Sequence, residues 1–247
     1  MFRHRVPEPP LSDHVAILWL YETPAPEHAQ ERLMPSGSME LVVDLREPAT
    51  YLAGAHSQPA FLDTNKIVHV IGAHFRPGGA YALMTMPADA LHNEGASLDD
   101  VWSRAEASEL RERLLAAVDP LDLFEQALIA RLRRPRNPMV RFAIEEFRRA
   151  KPVGDVGQQV GVSQRTFIST FAREVGLTPK LYCRVRRFQR VLRMVHRRED
   201  VDWSEVALAC GYFDQPHLIR DFREFSGMSP STYLDARTEH LNHVPVR

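Results

Sequence analysis

The stretch Val206–Tyr233, VALACGYFDQPHLIRDFREFSGMSPSTY, and the stretch Val160–Tyr182, VGVSQRTFISTFAREVGLTPKLY, are two copies of one pattern. Gly161, Phe171, Gly176, Pro179 and Tyr182 of the first recur as Gly211, Phe222, Gly227, Pro230 and Tyr233 of the second. The leading glycines are 50 residues apart and everything from the phenylalanine onward 51, so the second copy carries one inserted residue in its turn. Self-similarity at a fixed spacing marks one supersecondary unit used twice. Two copies point to a pair of subdomains and not to a solenoid.

Each copy has the grammar of a helix-turn-helix. Asp155–Val160 predicts a short first helix, and Gly161 a left-handed turn that glycine adopts cheaply, with Val162 turned inward. Ser163 is a good N-cap for a second helix that stops at Gly176. Thr166, Phe167, Thr170, Phe171 and Val175 form its core stripe, leaving Gln164, Arg165, Ile168, Ser169 and Arg173 on the open face. In the second copy Trp203, Val206, Ala207 and Cys210 pack the first helix, Gly211 makes the turn and Asp214 caps a helix closed by Gly227. Leu218, Phe222 and Phe225 face its core. Gln215, His217, Arg220, Asp221 and Arg223 or Glu224 remain more exposed, and Pro216 is tolerated in the first turn. Between the copies, Pro179 opens a helix to about Arg198. Seven arginines, Arg184 and Arg187 among them, surround its apolar stripe.

The rest of the chain has another texture. Short β-type runs at Val15–Tyr21, Met39–Leu45, Tyr51–Ala53 and Ile67–Ile71 are punctuated by turns at Pro35-Ser36-Gly37, Glu47-Pro48, Gln58-Pro59 and Pro77-Gly78-Gly79. Gly-Ala-His occurs at 54–56 and 72–74, each time where a strand is expected to end. Leu110, Leu114, Leu115 and Val118, then Leu121, Phe124, Leu128, Ile129 and Leu132, space two helical faces. The fold class is therefore α+β: a β-rich, half-barrel-like N-terminal domain with helices, then an all-α region of two helix-turn-helix subdomains joined by a long helix. The Pro-broken basic stretch 131–138 separates a half of net charge −6 from one of net charge +5. The expected domains are 1–134, 138–236 and a mobile tail 237–247.

At 247 residues, 44 % hydrophobic and 26 % charged, the chain is a globular one and neither disordered nor collagen-like. No apolar run approaches the roughly 18 residues of a membrane span, and Val15–Tyr21 is too short for a signal-peptide core. Two cysteines, Cys183 and Cys210, make no disulfide framework, so a cytoplasmic location is expected.

The span from about Val140 to Tyr233, with the two quoted stretches and the "RFQR" of the connecting helix, resembles the DNA-binding region of the AraC/XylS family of bacterial transcription regulators. "FRPGG" followed by "MPADAL" resembles, in the first half, the β-rich partner domains found ahead of that region. The resemblance implies seven helices in two subdomains, with both recognition helices in successive major-groove segments of double-stranded DNA. Carried over by position, Gln164, Arg165, Ile168 and Ser169 would meet base edges from the first helix, and Gln215, His217 and Arg220 from the second. Arginine pairs bidentately with guanine and glutamine with adenine, whereas Ile168 suits only a thymine methyl. Ser163 and Asp214 at the helix starts, with Arg173, Arg184 and Arg187, would position phosphates. The resemblance also implies a first domain that binds an unknown small-molecule effector or forms a homodimer, and it allows RNA polymerase as a partner. One departure stands out: Gly157, preceded by Gly154, lies where the family usually has alanine, and interior glycines weaken a helix.

An alternative of a different class is a cupin-like domain that holds a small molecule or a metal and has its own chemistry, with the helical half docking partners. His14, His28, His56, His69, His74 and His92 are its candidates, but they lack the His-x-His spacing and following Glu of such sites. His69 and His74, on one strand, would point to opposite faces. With no phosphate loop, dinucleotide fingerprint or nucleophile elbow either, no cofactor, no metal and no enzymatic activity are expected.

Overall fold

A computed structural model describes residues 1–23, 28–47, 49–66 and 68–246. Pro48 of the expected turn and Ile67 of the expected strand fall outside them. The described residues contain a six-stranded sheet, a three-stranded sheet and ten α-helices.

The chain divides into two compact units. The first comprises Met1–Ala25, Ser38–Ala55 and Ile67–Pro179, and the second Pro26–Gly37, His56–Lys66 and Lys180–Arg247. Charge and texture lead one to expect a seam near residue 135; the units instead divide the helical half itself, between Pro179 and Lys180.

In the first unit, β1 (Phe2–Arg5), β2 (Val15–Glu22), β4 (Glu40–Asp44), β5 (Thr50–Ala53), β7 (His69–Phe75) and β8 (Gly95–Ser97) form an antiparallel sheet in the order β1-β2-β7-β4-β5-β8. Period-two alternation puts Leu18, Leu20, Leu41, Val43, Ile71 and Ala73 on one buried face. Helices α1 (Leu98–Val101), α2 (Arg104–Ala116) and α3 (Pro120–Ala130) follow, and α3 lies against β2. From the same face of β1, Arg3 reaches Asp119, and Arg5 reaches Asp122 and Glu125. The second Gly-Ala-His does not end its strand: residues 72–74 lie inside β7. The Trp19 indole crosses the strand at Gly72, where a Cβ would fall 2.3 Å from Trp19 Cζ2. Leu115 and Val118 do not join the apolar face expected of them. Leu115 is half exposed, and Val118, beyond the last turn of α2, is fully exposed.

Residues 131–137 are docked onto this unit. Arg133 N–H bonds the Ala82 carbonyl, Arg134 lies 4.5 Å above the Tyr81 ring, and Arg136 donates to the carbonyls of Asp13 and Pro77. The first helix-turn-helix then completes the unit with α4 (Pro138–Arg148), α5 (Val153–Gln159) and α6 (Gln164–Val175). Phe147 of α4 meets Phe171 of α6 edge-on at 5.7 Å. Gly176, where a Cβ would touch Ala55 Cβ at 3.0 Å, marks the close approach of the end of α6 to the β-rich part.

In the second unit, β6 (Ala60–Asp63), β3 (Gln30–Leu33) and β9 (His243–Pro245) pair antiparallel in that order. The tail, expected to be mobile, thus supplies a strand, and Val244 is 1 % exposed. The helices are α7 (Pro179–Val195, shorter than the expected run to Arg198), α8 (Trp203–Ala209), α9 (Gln215–Ser226) and α10 (Pro230–Ala236). Phe188 of α7 packs on Phe222 and Phe225 at 5.2 and 5.5 Å, and Phe222 packs on Tyr233 at 5.6 Å. Gln189, 5 % exposed, donates to the Pro35 carbonyl and to Asn242. None of the described helices is long and apolar enough to cross a membrane.

Candidate nucleic-acid interface

Both repeat copies are built with the same local devices. Gly161 and Gly211 have φ of +70° and +82°, and Gly176 and Gly227 close α6 and α9 at +89° and +68°. These are left-handed positions, as the repeat requires. Ser163 Oγ accepts the Thr166 N–H at 3.1 Å, and Asp214 Oδ1 accepts the His217 N–H at 2.8 Å. Each cap satisfies one of the first-turn donors and leaves neighbouring amides for an anion.

On α6, Gln164, Arg165, Ser169 and Arg173 are exposed, Ile168 is half-buried, and Phe167, Phe171 and Val175 are buried. Two expectations fail here. Thr166 is outside the core stripe, exposed and paired through its hydroxyl with Ser163 Oγ at 2.8 Å. Val162 does not turn inward and is 41 % exposed. With one residue fewer than the second turn, the first turn leaves it outside. In the longer turn the equivalent Tyr212 is 4 % exposed, and the added Phe213 is 87 % exposed.

On α9, Gln215 and His217 are half-buried and Arg220 is exposed. Ser204 Oγ donates to Gln215 Oε1, and the His217 ring stands edge-on to Tyr212 at 5.2 Å. Arg165, Arg173 and Arg220 have no ion-pair partner among the described residues.

Asp221 departs from expectation. It is 2 % exposed and lies on the inner face of α9. Arg184 donates to it at 2.7 Å and also bonds Glu224, while Arg187 donates to its other oxygen at 3.3 Å and to the Gly211 carbonyl. The carboxylates of Glu224 and Asp221, against the effect of burial, hold the Arg184 proton more tightly than usual. Arg187 also stacks 4.4 Å above Tyr212. Two arginines expected at phosphates are therefore tied into the helix-turn-helix itself. The position of Asp221, three residues after Leu218 and four before Phe225, placed it on the buried stripe, and its charge obscured that signal.

Glu174 is the buried acid of the first copy. Asn137 Nδ2 donates to it at 2.9 Å, and burial raises its carboxyl pKa. Burial also pushes the Cys183 thiol up to about 11 and raises that of Cys210, the opposite of what a reactive thiolate needs. Trp19, Trp102 and Trp203 are half-buried. His69 and His74 lie on β7 at the odd spacing of opposite faces, and no group of three or more His, Cys, Asp or Glu among the described residues is placed to hold a metal ion.

Paired caps, glycine-hinged turns and arginine-bearing open faces define two units of the helix-turn-helix class. Residues 156–236 match a helix-turn-helix domain family, and residues 3–97 match a domain of unknown function (DUF6597). The C-terminal part of the chain thus carries a helix-turn-helix domain. Among solved structures it is similar to a transcriptional regulator of Chromobacterium violaceum with an AraC-type DNA-binding domain, at 22 % identity over 41 % of this chain and 94 % of that one, with a TM-score of 0.38. It is also similar to ToxT of Vibrio cholerae O395 bound to (E)-4-(8-methylnaphthalen-1-yl)but-3-enoic acid, at 9 % identity over 95 % and 98 % of the two chains, with a TM-score of 0.44. Unsaturated fatty acid bound ToxT of strain SCE256 matches at 10 % identity over 88 % and 90 %, with a TM-score of 0.38. No curated protein matches the chain.

Proposed function

We propose that the chain is a sequence-specific regulator of transcription that places α6 and α9 in successive major-groove segments of double-stranded DNA, with 138–236 as its DNA-binding region. Gln164, Arg165, Ile168 and Ser169 read bases from α6, and Gln215, His217 and Arg220 from α9. Ser163, Arg173 and Asp214 mark the backbone contacts, with the first-turn amides as donors. Arg184 and Arg187, engaged with Asp221, position α9 and are left out of this set. The β-rich domain senses an effector or dimerises. The observation that carries the reading is two capped, glycine-hinged helices of one pattern, each presenting an exposed arginine with no ion-pair partner among the described residues, Arg165 in the first turn of α6 and Arg220 in the second turn of α9.

Genome-wide footprinting of the purified chain, followed by binding to one recovered site, tests it. Arg165→Ala and Arg220→Ala are each expected to cost roughly 1–3 kcal/mol on the cognate site and to relax preference at one base step. Uniform weakening on every sequence would remove the base-reading roles and leave only phosphate contacts.

A further inference from the structure

Within the first unit a cavity of about 610 Å³ opens between the β-rich part and α4. Ser12, Asp13, Arg76 and Arg136 line it, with Arg141, Phe142, Glu145 and Glu146 of α4. Arg76 Nε donates to the Ser12 carbonyl at 2.7 Å, and Arg136 to those of Asp13 and Pro77 at 2.9 and 2.5 Å. The Ser12 carbonyl orients the Arg76 guanidinium without neutralising it. Arg76 and Arg141 have no carboxylate partner among the described residues, and Arg141 has no side-chain hydrogen bond either. Phe142 adds an aromatic ring that is 40 % exposed. His14, 5 % exposed beside Gly79, has a lowered pKa, chiefly through burial; Arg136 and Arg141 add to the lowering, and its contact with the Gly79 carbonyl and the charge of Asp13 oppose it.

We propose that this cavity binds a small organic anion, its carboxylate or phosphate group held by Arg141 and Arg76 and its apolar body resting on Phe142. The volume suits a small ligand, and uncompensated guanidiniums beside an aromatic wall complement an anionic head on an apolar body. A concave site lined in part by Asp13 and Glu145 is poorly shaped for a nucleic-acid backbone. A ligand here touches the β-rich part and α4 together, and α4 packs on α6 through Phe147 and Phe171. The inference deepens the regulator reading by naming the class of effector. It rests on that reading for its effect on DNA and not for binding itself.

Calorimetric titration of the full chain without DNA, at low ionic strength, tests the site with three probes: phenyl phosphate, inorganic phosphate and phenol. Phenyl phosphate is expected to bind one to one, inorganic phosphate more weakly, and phenol not at all. Arg141→Gln should weaken phenyl phosphate at least tenfold and Phe142→Ser severalfold. Both positions are solvent-accessible, and circular dichroism checks the fold; should Arg141→Gln unfold, Arg76→Gln repeats the test with a second lining arginine. Absence of saturable binding, or equal affinity in wild type and variants, overturns the site. So does a result in which Arg141→Gln spares phenyl phosphate and weakens DNA binding, because the groove then belongs to the DNA surface. If titration fails while the footprint persists, the ligand site falls alone.

Discussion

Asp221 sits where a charge is costly unless paired, and two guanidiniums pair it. Asp221→Ala would leave Arg184 and Arg187, each about a quarter exposed, without that carboxylate. A loss of about 2–4 kcal/mol is expected in denaturant titration, reduced from the fully buried case by that exposure. Glu174 behaves oppositely. Its folded pKa is raised, so the folded protein holds this proton more readily than the unfolded chain, and the stability that follows is lost as pH rises from the ordinary value of 4.5 through the raised one. Glu174→Gln keeps an acceptor for Asn137. It is expected to raise the Tm at pH 7 and to change nothing below about pH 4, where both states are protonated. Neither acid was legible as buried from sequence. Each lies next to a stripe of apolar residues, and a helical stripe has no sharp edge. The free arginines of α6 and α9 were legible, because phenylalanine spacing fixes which way the open face points.

Among the elements, the two helix-turn-helices were the easiest to read. Caps and left-handed glycines are local devices, and a turn that needs a positive φ names its residue. The same locality explains Gly154 and Gly157 of α5. A Cβ on Gly154 would meet nothing within 4 Å, and one on Gly157 would make ordinary contact with Phe167 at 3.6 Å. Gly154→Ala and Gly157→Ala are each expected to stabilise by roughly 0.5–1 kcal/mol, measured as a rise in unfolding free energy. Gly161→Ala should do the reverse: the space is open, but φ of +70° strains an L side chain. The strands were read less well. Runs in β2 and β4 showed through β-branched and leucine-rich stretches of five to eight residues, whereas β3, β6 and β9 are three or four residues long. The partner of β9 lies about 200 residues earlier in the chain, so no local pattern announces it.

Across the whole molecule, charge suggested a split near residue 135 that contact does not follow. Helices α4 to α6 fold with the six-stranded sheet, whereas α7 to α10 fold with strands drawn from residues 30–33 and 60–63. A fragment of residues 138–247 would keep every residue proposed to touch DNA yet lose the strand that β9 pairs with, the Pro35 carbonyl that takes Gln189, and the Arg32 guanidinium that bonds the Ser226 carbonyl at the end of α9. Its expected Tm is lower than that of the intact chain, as scanning calorimetry on both would show. For anyone preparing this protein at the bench, the proline-broken stretch is thus a poor place to cut. A reporter or affinity handle fused after the last residues would press on a strand already in use, so a spacer, or attachment at another surface, is the safer choice.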